Sequence, residues 1–229
     1  EVLEETTKQL KKDFSFTLSR LSHEIRNPIT LISSELQLMA DSHPELCSYR
    51  QWDSLMDNLD YVKELLNELS DFSHSQTVNL VPTDPKEFLT TILSCEKTML
   101  DYLGITLEIH IEDASPQILL DRIKMRQAIF NLIRNSCEAI SYPGGKITVG
   151  LRKINDRICI SIKDNGCGMT ETQTANIFQP FVTYKSEGTG LGLAVTSEIM
   201  AAHHGQIKVT STPKQGTTFS LYLPCLSEI

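Results

Sequence analysis

Two apolar stripes in the first third of the chain place the strongest constraint on its fold. Between Leu10 and Met39, and again between Trp52 and Phe72, apolar residues recur at spacings of three and four. This spacing puts the apolar side chains on one face of an α-helix. The segment between the stripes, DSHPELCS at residues 41–48, interrupts the pattern. The sequence therefore predicts two long helices joined by a short loop, in an antiparallel hairpin.

A hairpin of two helices cannot bury both of these long stripes by itself. Pairing with a second copy of the chain would bury the remaining apolar surface in a four-helix bundle. A homodimer is also the commonest closed oligomer of soluble proteins. We therefore expect residues 1–78 to form a helical hairpin that dimerises into a four-helix bundle.

The pattern changes to mixed helix and strand after VNLVPTDP at residues 78–85, so we place the domain boundary there. In the second domain, residues 79–229, strict alternation of apolar and polar residues predicts strands with one buried face. The predicted strands span residues 105–112, 147–153, 157–163, 206–211 and 217–223. The predicted helices span residues 86–102, 121–140 and about 191–202. This order predicts an α+β fold with helices packed on one face of a mixed sheet.

The charged residues and cysteines limit the classes of partner. Residues 1–78 carry 7 basic against 14 acidic side chains, and the remaining residues carry 14 against 15. Neither part offers a basic surface, so we expect no nucleic acid partner. The six cysteines are scattered without a CxxC pair, which argues against zinc or a disulfide framework. A reducing cytoplasm is the setting that this cysteine usage favours.

Membrane contact by these residues is not expected from the sequence. There is no apolar run of membrane-spanning length and no signal-peptide pattern. The chain begins within a helical pattern, which favours a fragment of a longer protein. A sensing region, and with it a membrane anchor for the full-length protein, would then lie before Glu1.

Four short stretches in the second domain carry the candidate chemistry. They are NLIRNSCEAI at 131–140, DNGCGM at 164–169, IFQPF at 177–181 and GTGLGL at 188–193. Taken singly, each has a structural explanation, such as a hairpin turn, core phenylalanines or a turn glycine. The glycines of GTGLGL lack the spacing of a dinucleotide-binding loop. They do open a predicted helix, where unpaired backbone N–H groups and the helix dipole favour an anion.

Together, the order and spacing of these stretches resemble the ATP-binding domain shared by histidine kinases, Hsp90, gyrase B and MutL, an α+β sandwich of the Bergerat type. The resemblance implies that Asp164 accepts a hydrogen bond from the adenine amino group. It implies that Gly166 and Gly168 let the backbone approach the base and ribose. Asn135 would hold Mg²⁺ between the phosphates, since this cation prefers oxygen ligands.

The same resemblance assigns roles to the later motifs. Phe178 and Phe181 would anchor a mobile segment, residues 170–187, that closes over the triphosphate. The phosphate cradle would be built from GTGLG, and the last turn near the adenine from the start of GTTF. The residues concerned are Gly188, Thr189, Gly190, Leu191, Gly192, Gly216 and Thr217.

Two positions depart from the wider superfamily. Many relatives carry lysine three residues after the Mg²⁺-binding asparagine, whereas this chain has Glu138. The phosphate charge would then be met by Lys185 or Arg134. The ATP-hydrolysing members place a glutamate at position 131 to activate water, but Asn131 cannot act as a base. We therefore expect the phosphoryl group to be kept for transfer rather than hydrolysed.

The stretch LSHEIRNPIT at 21–30 contains the candidate acceptor, His23. A zinc site of the HExxH type would need a histidine at position 27, which is Asn27. A buried core histidine is the remaining structural alternative. With its flanking residues, the stretch resembles the phosphoacceptor box of dimeric sensor histidine kinases, in the HExxNP variant of nitrogen-regulation and sporulation-type kinases.

This second resemblance implies autophosphorylation of His23 from Mg²⁺·ATP, followed by transfer to an aspartate of a response regulator. Glu24 would orient the imidazole and accept its proton. Asn27 would position water to dephosphorylate the regulator. Pro28 lacks an N–H group, so we expect the helix to bend there. The alternatives are a conformational ATPase of the same superfamily and a pseudokinase scaffold.

The other histidines are expected to be structural. His110 falls on the polar face of a strand, and His43 lies in the loop of the hairpin. His203 and His204 end a predicted helix, where a cationic or hydrogen-bonding side chain suits the helix dipole. His74 is placed on the surface by default.

Overall fold

In the computed structural model, the chain folds into two compact units, Glu1–His74 and Ser75–Ile229. The structure describes residues 2–75, 77–112, 116–141, 143–185 and 188–226. None of the described helices is both long enough and apolar enough to cross a bilayer. The six cysteines are free thiols.

The first unit is the predicted antiparallel helical hairpin. Helix α1 (Val2–Ser42) and helix α2 (Arg50–His74) are joined by a short 3₁₀ helix, Pro44–Ser48. Helix α1 continues through Pro28, so this proline does not end the helix. The missing N–H group costs one backbone hydrogen bond, and the many helical turns on either side of Pro28 keep the helix formed.

The two helices of the hairpin meet through small residues on α1 and large ones on α2. Ser22 and Ser33 are buried on α1, opposite a helix that buries Leu59, Leu66 and Phe72. The Lys63 ammonium donates to Ser33 Oγ at 2.8 Å. The Arg26 guanidinium donates to the Leu66 carbonyl and to Asn67 Oδ1, each at 3.2 Å.

Much of the apolar stripe of α1 is left uncovered by α2. Five side chains of the stripe are between 45% and 50% exposed in the single chain, namely Phe14, Leu21, Ile25, Ile32 and Met39. The side chain of Leu10, where the stripe begins, lies outside the described residues. The α1–α2 contact therefore accounts for only part of the apolar surface that the sequence places on this helix.

The second unit is an α+β layer, as the alternating pattern predicted. Its strands and helices are β1 (Val81–Thr83), α3 (Pro85–Tyr102), β2 (Thr106–Ile111), β3 (Ile118–Leu120), α4 (Arg122–Ala139), β4 (Lys146–Ile154), β5 (Arg157–Asp164), α5 (Glu171–Asn176), α6 (Gly192–Ala202), β6 (Gln206–Thr212) and β7 (Gly216–Pro224). Within the described residues, five strands form one sheet in the order β2-β4-β5-β7-β6. The β2–β4 pair is parallel and the other pairs are antiparallel, so the prediction of a mixed sheet is confirmed.

Three short elements were not predicted from the sequence. Strands β1 and β3 form a separate antiparallel ladder of three residues each, and α5 has six residues. Alternation over three residues cannot be distinguished from chance, so periodicity is not informative at this length. Helix α5 does carry a capping box, in which Thr170 accepts from the Gln173 N–H and the Gln173 side chain accepts from the Thr170 N–H.

The core of the second unit lies between the helices and one face of the sheet. Alternate residues of β4, β5 and β7 are buried, as a strand with one covered face requires. The large core side chains include Met125, Ile129, Leu132, Ile147, Leu151, Ile158, Ile199 and Leu221. Helices α4 and α6 lie side by side on this face, which brings the NLIRNSCEAI and GTGLGL motifs together.

Asp121 joins the start of α4 to two distant parts of this unit. One carboxylate oxygen caps α4 by accepting from the Ile123 and Lys124 N–H groups, each at 3.1 Å. The other accepts from the Asn79 N–H group at 2.8 Å. The Asp121 N–H group donates to His203 Nε2 at 2.9 Å, so the end of α6 is tied to the start of α4.

His203 takes the hydrogen-bonding role at the end of α6, and the cationic alternative does not hold. The side chain is 2% exposed, and its Nδ1 bonds the Ile199 carbonyl at 2.7 Å. Because Nε2 accepts from Asp121, the ring is neutral with its proton on Nδ1. Burial lowers the pKa of His203, which agrees with a neutral ring.

We expect His203 to make the stability of the second unit depend on pH. Its pKa in the fold lies below the ordinary value of about 6.5, so its contribution is present above that pH and is lost as the pH falls below it. The thermal unfolding midpoint should therefore decrease as the pH is lowered from about 7 to about 5. Circular dichroism melts of His203→Gln should show a weaker pH dependence, whereas the exposed control His110→Gln should behave like the unsubstituted protein.

Candidate functional site

Asp164 ends β5 as a buried carboxylate surrounded by hydrogen-bond donors. It is 2% exposed, and Oδ1 accepts from the Gly166 N–H at 2.9 Å and the Thr217 N–H at 3.2 Å. Oδ2 accepts from the Ser136 hydroxyl at 3.3 Å. Burial raises the pKa of Asp164, although these donors oppose the shift. With two donors on Oδ1 and one on Oδ2, Oδ2 retains capacity for one further donor.

The glycines around Asp164 are required by close contacts within the protein. A Cβ atom at Gly166 would lie 2.7 Å from the Ala139 carbonyl oxygen. Gly168 has a φ of +65°, and a Cβ atom there would overlap the Thr212 carbonyl. Gly216 has a φ of +101°, and its Cβ atom would overlap the Asp164 carbonyl. These close contacts give each of the three glycines a structural reason to lack a side chain.

We expect Gly168→Ala to destabilise the second unit by roughly 2 kcal/mol, because the left-handed backbone and the Thr212 contact both oppose a Cβ atom. Gly192→Ala is the matched control. A Cβ atom there would have Asn131 Cγ as its nearest neighbour, at an ordinary 3.7 Å, and alanine favours a helix. Thermal unfolding of both variants should show a lower midpoint for Gly168→Ala alone. Equal midpoints would mean that the 164–169 turn relaxes at little cost.

Two serines that were not identified from the sequence complete this region. Ser136 donates to Asp164, and it directly follows Asn135 in the motif, so its position offered a signal. Ser211 accepts from the Met169 N–H at 2.8 Å and donates to the Gly216 carbonyl at 3.0 Å. Ser211 pairs with Thr217 across β6 and β7, a neighbour relation that the sequence order of the motifs does not reveal.

Asn131 connects the two helices that carry the motifs. Its Nδ2 donates to the Gly192 carbonyl at 3.1 Å, and the Thr196 hydroxyl donates to the same oxygen at 2.9 Å. The side-chain amide therefore holds the first turn of α6 against α4.

The glycine loop before α6 packs against the chain that follows α5. A Cβ atom at Gly190, where φ is +73°, would lie 2.6 Å from the Phe181 carbonyl carbon, and one at Gly188 would overlap Thr183 Oγ1. The Phe181 N–H group donates to the Gly190 carbonyl at 3.1 Å. Leu191 is buried, and its N–H group donates to Thr189 Oγ1 at 3.2 Å.

The two predicted anchor phenylalanines differ in the structure. Phe178 packs edge-on against Phe219, with ring centroids 6.4 Å apart. Phe181 is 55% exposed with a φ of +64°, and its anchoring role stays a prediction. Residues 186 and 187, at the end of the predicted mobile segment, lie outside the described residues.

Asn135 lies in a cluster with Glu138, Arg134 and Lys185. The Lys185 ammonium donates to Asn135 Oδ1 at 2.6 Å and also pairs closely with Glu138 Oε2. Arg134 Nε donates to Glu138 Oε1 at 3.0 Å. Both cations that the sequence offered for phosphate charge are thus bound to Glu138.

His23 is exposed on α1 in the first unit, so the core-histidine alternative is not supported. Asn27 is also exposed and lies one helical turn further along. The Glu24 carboxylate accepts from Arg20 Nε at 2.9 Å, with both side chains exposed. The carboxylate expected to orient His23 is therefore paired with Arg20 in this structure.

Two protein-family models match this chain and define its class. Residues 15–78 match the His Kinase A (phospho-acceptor) domain, and residues 120–227 match the Histidine kinase-, DNA gyrase B-, and HSP90-like ATPase domain. The fold and site thus define a phosphoacceptor domain followed by a nucleotide domain of this ATPase class. A chain with both domains in this order belongs to the histidine kinase family, as the resemblance in the sequence predicted.

Individual relatives agree with this assignment. The chain is 30% identical over 210 residues to Sporulation kinase B of Bacillus subtilis (strain 168), covering 89% of this chain and 48% of that protein. Its fold is similar to that of full-length ShkA in complex with AMPPNP (TM-score 0.77, 24% identity, 93% of this chain and 46% of that one). It is also similar to that of ThkA in complex with the response regulator protein TrrA (TM-score 0.69, 21% identity, 99% and 67%). The chain therefore spans about half the length of Sporulation kinase B.

Proposed function

We propose that this chain is the catalytic core of a two-component sensor kinase that transfers the γ-phosphoryl group of Mg²⁺·ATP to His23. The phosphoryl group then passes to an aspartate of a response regulator. The observation that carries this proposal is the buried, donor-surrounded carboxylate of Asp164 in the same chain as the exposed His23. The solved complex of the similar kinase ThkA with a response regulator supports the second transfer.

Asp164 is suited to select adenine. Its Oδ1 is occupied by two backbone donors, which fix the carboxylate, and Oδ2 can accept from an exocyclic amino group. A carboxylate accepts hydrogen bonds and does not donate them, so a base with a carbonyl at that position would be disfavoured.

The donor set at Asn135 fits Mg²⁺. Its Oδ1 already accepts from a cationic group, and the Glu138 carboxylate lies beside it. An amide oxygen is a suitable ligand for this hard cation, and the partial exposure of the cluster leaves room for water ligands. The Glu138 carboxylate is held by Arg134 and Lys185 and is not counted as a ligand. When bound, Mg²⁺ neutralises charge on the phosphates. Asn135 is the residue that would hold it, and the start of α6 would favour the remaining phosphate charge.

The transfer to His23 forms a bond between a ring nitrogen and phosphorus. The bond between the γ-phosphorus and the bridging oxygen breaks, and ADP leaves with the electron pair. The attacking nitrogen must carry a lone pair, and the proton on the other ring nitrogen is lost after attack. Glu24 is the proposed acceptor of that proton, which requires it to exchange its contact with Arg20.

The first unit supports two further proposals, homodimerisation and dephosphorylation of the regulator. The half-exposed apolar stripe on α1 suits a homodimer in which two hairpins form a four-helix bundle. Asn27 is an exposed amide one turn after His23, and its proposed role is to orient a water molecule when the phosphorylated regulator is bound. We therefore propose that the chain also dephosphorylates its regulator, through Asn27.

Incubation with γ-labelled ATP and Mg²⁺ tests the proposal. The label should become attached to the protein in an acid-labile, base-stable form and then pass to an added receiver domain. Release of labelled phosphate without any labelled protein would instead identify an ATPase. Binding of ATP with neither label nor release would identify a scaffold.

A further inference from the structure

The charge cluster at Asn135 combines one carboxylate, Glu138, with two cations, Arg134 and Lys185. Glu138 contributes one negative charge, and Arg134 and Lys185 contribute two positive charges within hydrogen-bonding distance of it. Burial opposes ionisation of Glu138, yet the bond from Lys185 lowers its pKa, so the carboxylate is charged. The cluster thus carries a net charge of one positive unit.

Lys185 is the member that bears on nucleotide binding. Its ammonium nitrogen lies 2.6 Å from Asn135 Oδ1, the atom assigned to Mg²⁺ above. A magnesium ion bound to that oxygen would lie about 2.1 Å from it. The ammonium and the ion would then be within roughly 4 Å of each other, where their charges repel. One amide oxygen therefore cannot keep both cations without a cost.

We propose that Lys185 and Mg²⁺ are alternative occupants of the Asn135 amide oxygen, and that Glu138 is the positioning residue that holds Lys185 there. The inference rests on the proposed nucleotide site. A metal-free triphosphate binds with Lys185 left on Asn135, where the ammonium supplies the cation for the phosphates. A Mg²⁺-bound triphosphate must first displace Lys185 from that oxygen.

The measurable consequence is the factor by which Mg²⁺ improves ATP binding. Isothermal titration calorimetry with EDTA and with saturating Mg²⁺ provides two dissociation constants, and their ratio is this factor. Lys185→Met removes the competing cation, so the factor should rise by about two- to fivefold, the range for a partly exposed charged contact. A lysine that only binds phosphate would weaken both affinities equally and leave the factor unchanged.

Glu138→Gln tests the positioning role separately. Glu138→Gln should also raise the factor, but by less than Lys185→Met does, because the substitution loosens Lys185 without removing it. When added to Lys185→Met it should change nothing further, since Glu138 acts through Lys185. Lys97→Met, at an exposed position on α3, is the matched control and should leave the factor unchanged.

Each contrary result has a distinct meaning. An unchanged factor in Lys185→Met overturns the alternative-occupant proposal while leaving the nucleotide site intact. An equal effect of Glu138→Gln with and without Lys185 overturns the positioning role and assigns the effect to the charge of Glu138 itself. Failure of the unsubstituted protein to bind ATP under either condition would overturn the proposed function.

Discussion

Replacing His23 by glutamine is expected to abolish labelling of the protein by γ-labelled ATP while leaving ATP affinity unchanged. Glutamine retains a polar side chain but has no nucleophilic ring nitrogen, so no phosphoramidate bond can form. His23 is exposed on a long helix, and glutamine is a good helix former. The thermal midpoint and the helical circular dichroism signal should therefore be unchanged. Labelling of the protein should decrease to the background level, and not only in part.

His43→Gln is the matched control for this experiment. His43 is also exposed and also lies in the first unit, in the connection between the helices, where its Nδ1 is 3.1 Å from Glu45. This variant should label like the unsubstituted protein. Persistence of an acid-labile label in His23→Gln would place the acceptor elsewhere, with the exposed His74 as the next histidine to replace.

The second large effect is expected from Asp164→Asn, which should weaken ATP binding at least about thirtyfold, on the scale of an unpaired or opposed buried hydrogen bond. The asparagine oxygen can still accept from the Gly166 and Thr217 N–H groups. Its amide nitrogen then takes the place of Oδ2 and presents N–H groups to the adenine amino group. Two hydrogen-bond donors would then face each other. Calorimetric titration with ATP should show the loss of affinity directly.

Stability should move in the opposite direction to affinity in this variant. Burial raises the pKa of Asp164, so keeping the carboxylate ionised costs stability above its unfolded pKa, and this cost is relieved as the pH falls through the folded pKa. Asparagine carries no charge, so at pH 7 its thermal midpoint should equal or exceed that of the unsubstituted protein. A collapse of the midpoint together with binding would instead assign Asp164 a structural role.

Asp156→Asn provides the control for Asp164→Asn. Asp156 lies in the exposed turn between β4 and β5, in the same unit. The substitution makes the same change of charge away from the motifs. ATP affinity should be unaffected, which separates a local effect at Asp164 from a general effect of net charge.

Sequence periodicity predicted the large elements well and the small ones poorly. The strands predicted at 147–153 and 157–163 correspond to β4 and β5, because alternation over seven residues is a strong signal for one buried face. Strands β1 and β3 escaped prediction because three residues do not establish a period. Their pairing depends on residues 35 to 39 positions apart, such as Thr83 and Ile118, which no local pattern can reveal.

For the candidate site, likewise, the sequence indicated which residues to examine but not the contacts that these residues make. Asp164 and its glycines were predicted through the family resemblance of their motif, whereas Ser211 was missed because it reaches the site only through the pairing of β6 with β7. His203 showed the same limit. Its place at a helix end was evident, but its neutral state follows from the Asp121 N–H group, 82 residues away in sequence.

The sequence by itself determined the two helices of the first unit, the alternating strands of the second, and the family to which the chain belongs. These properties depend on local spacing and on short motifs, which are present in the linear order of residues. Only the tertiary structure decided what the charged groups of the second unit face: Glu138 holds Lys185, 47 residues away in sequence, on Asn135. Electrostatic partners depend on distances of a few ångströms between remote segments, and packing of the core sets those distances.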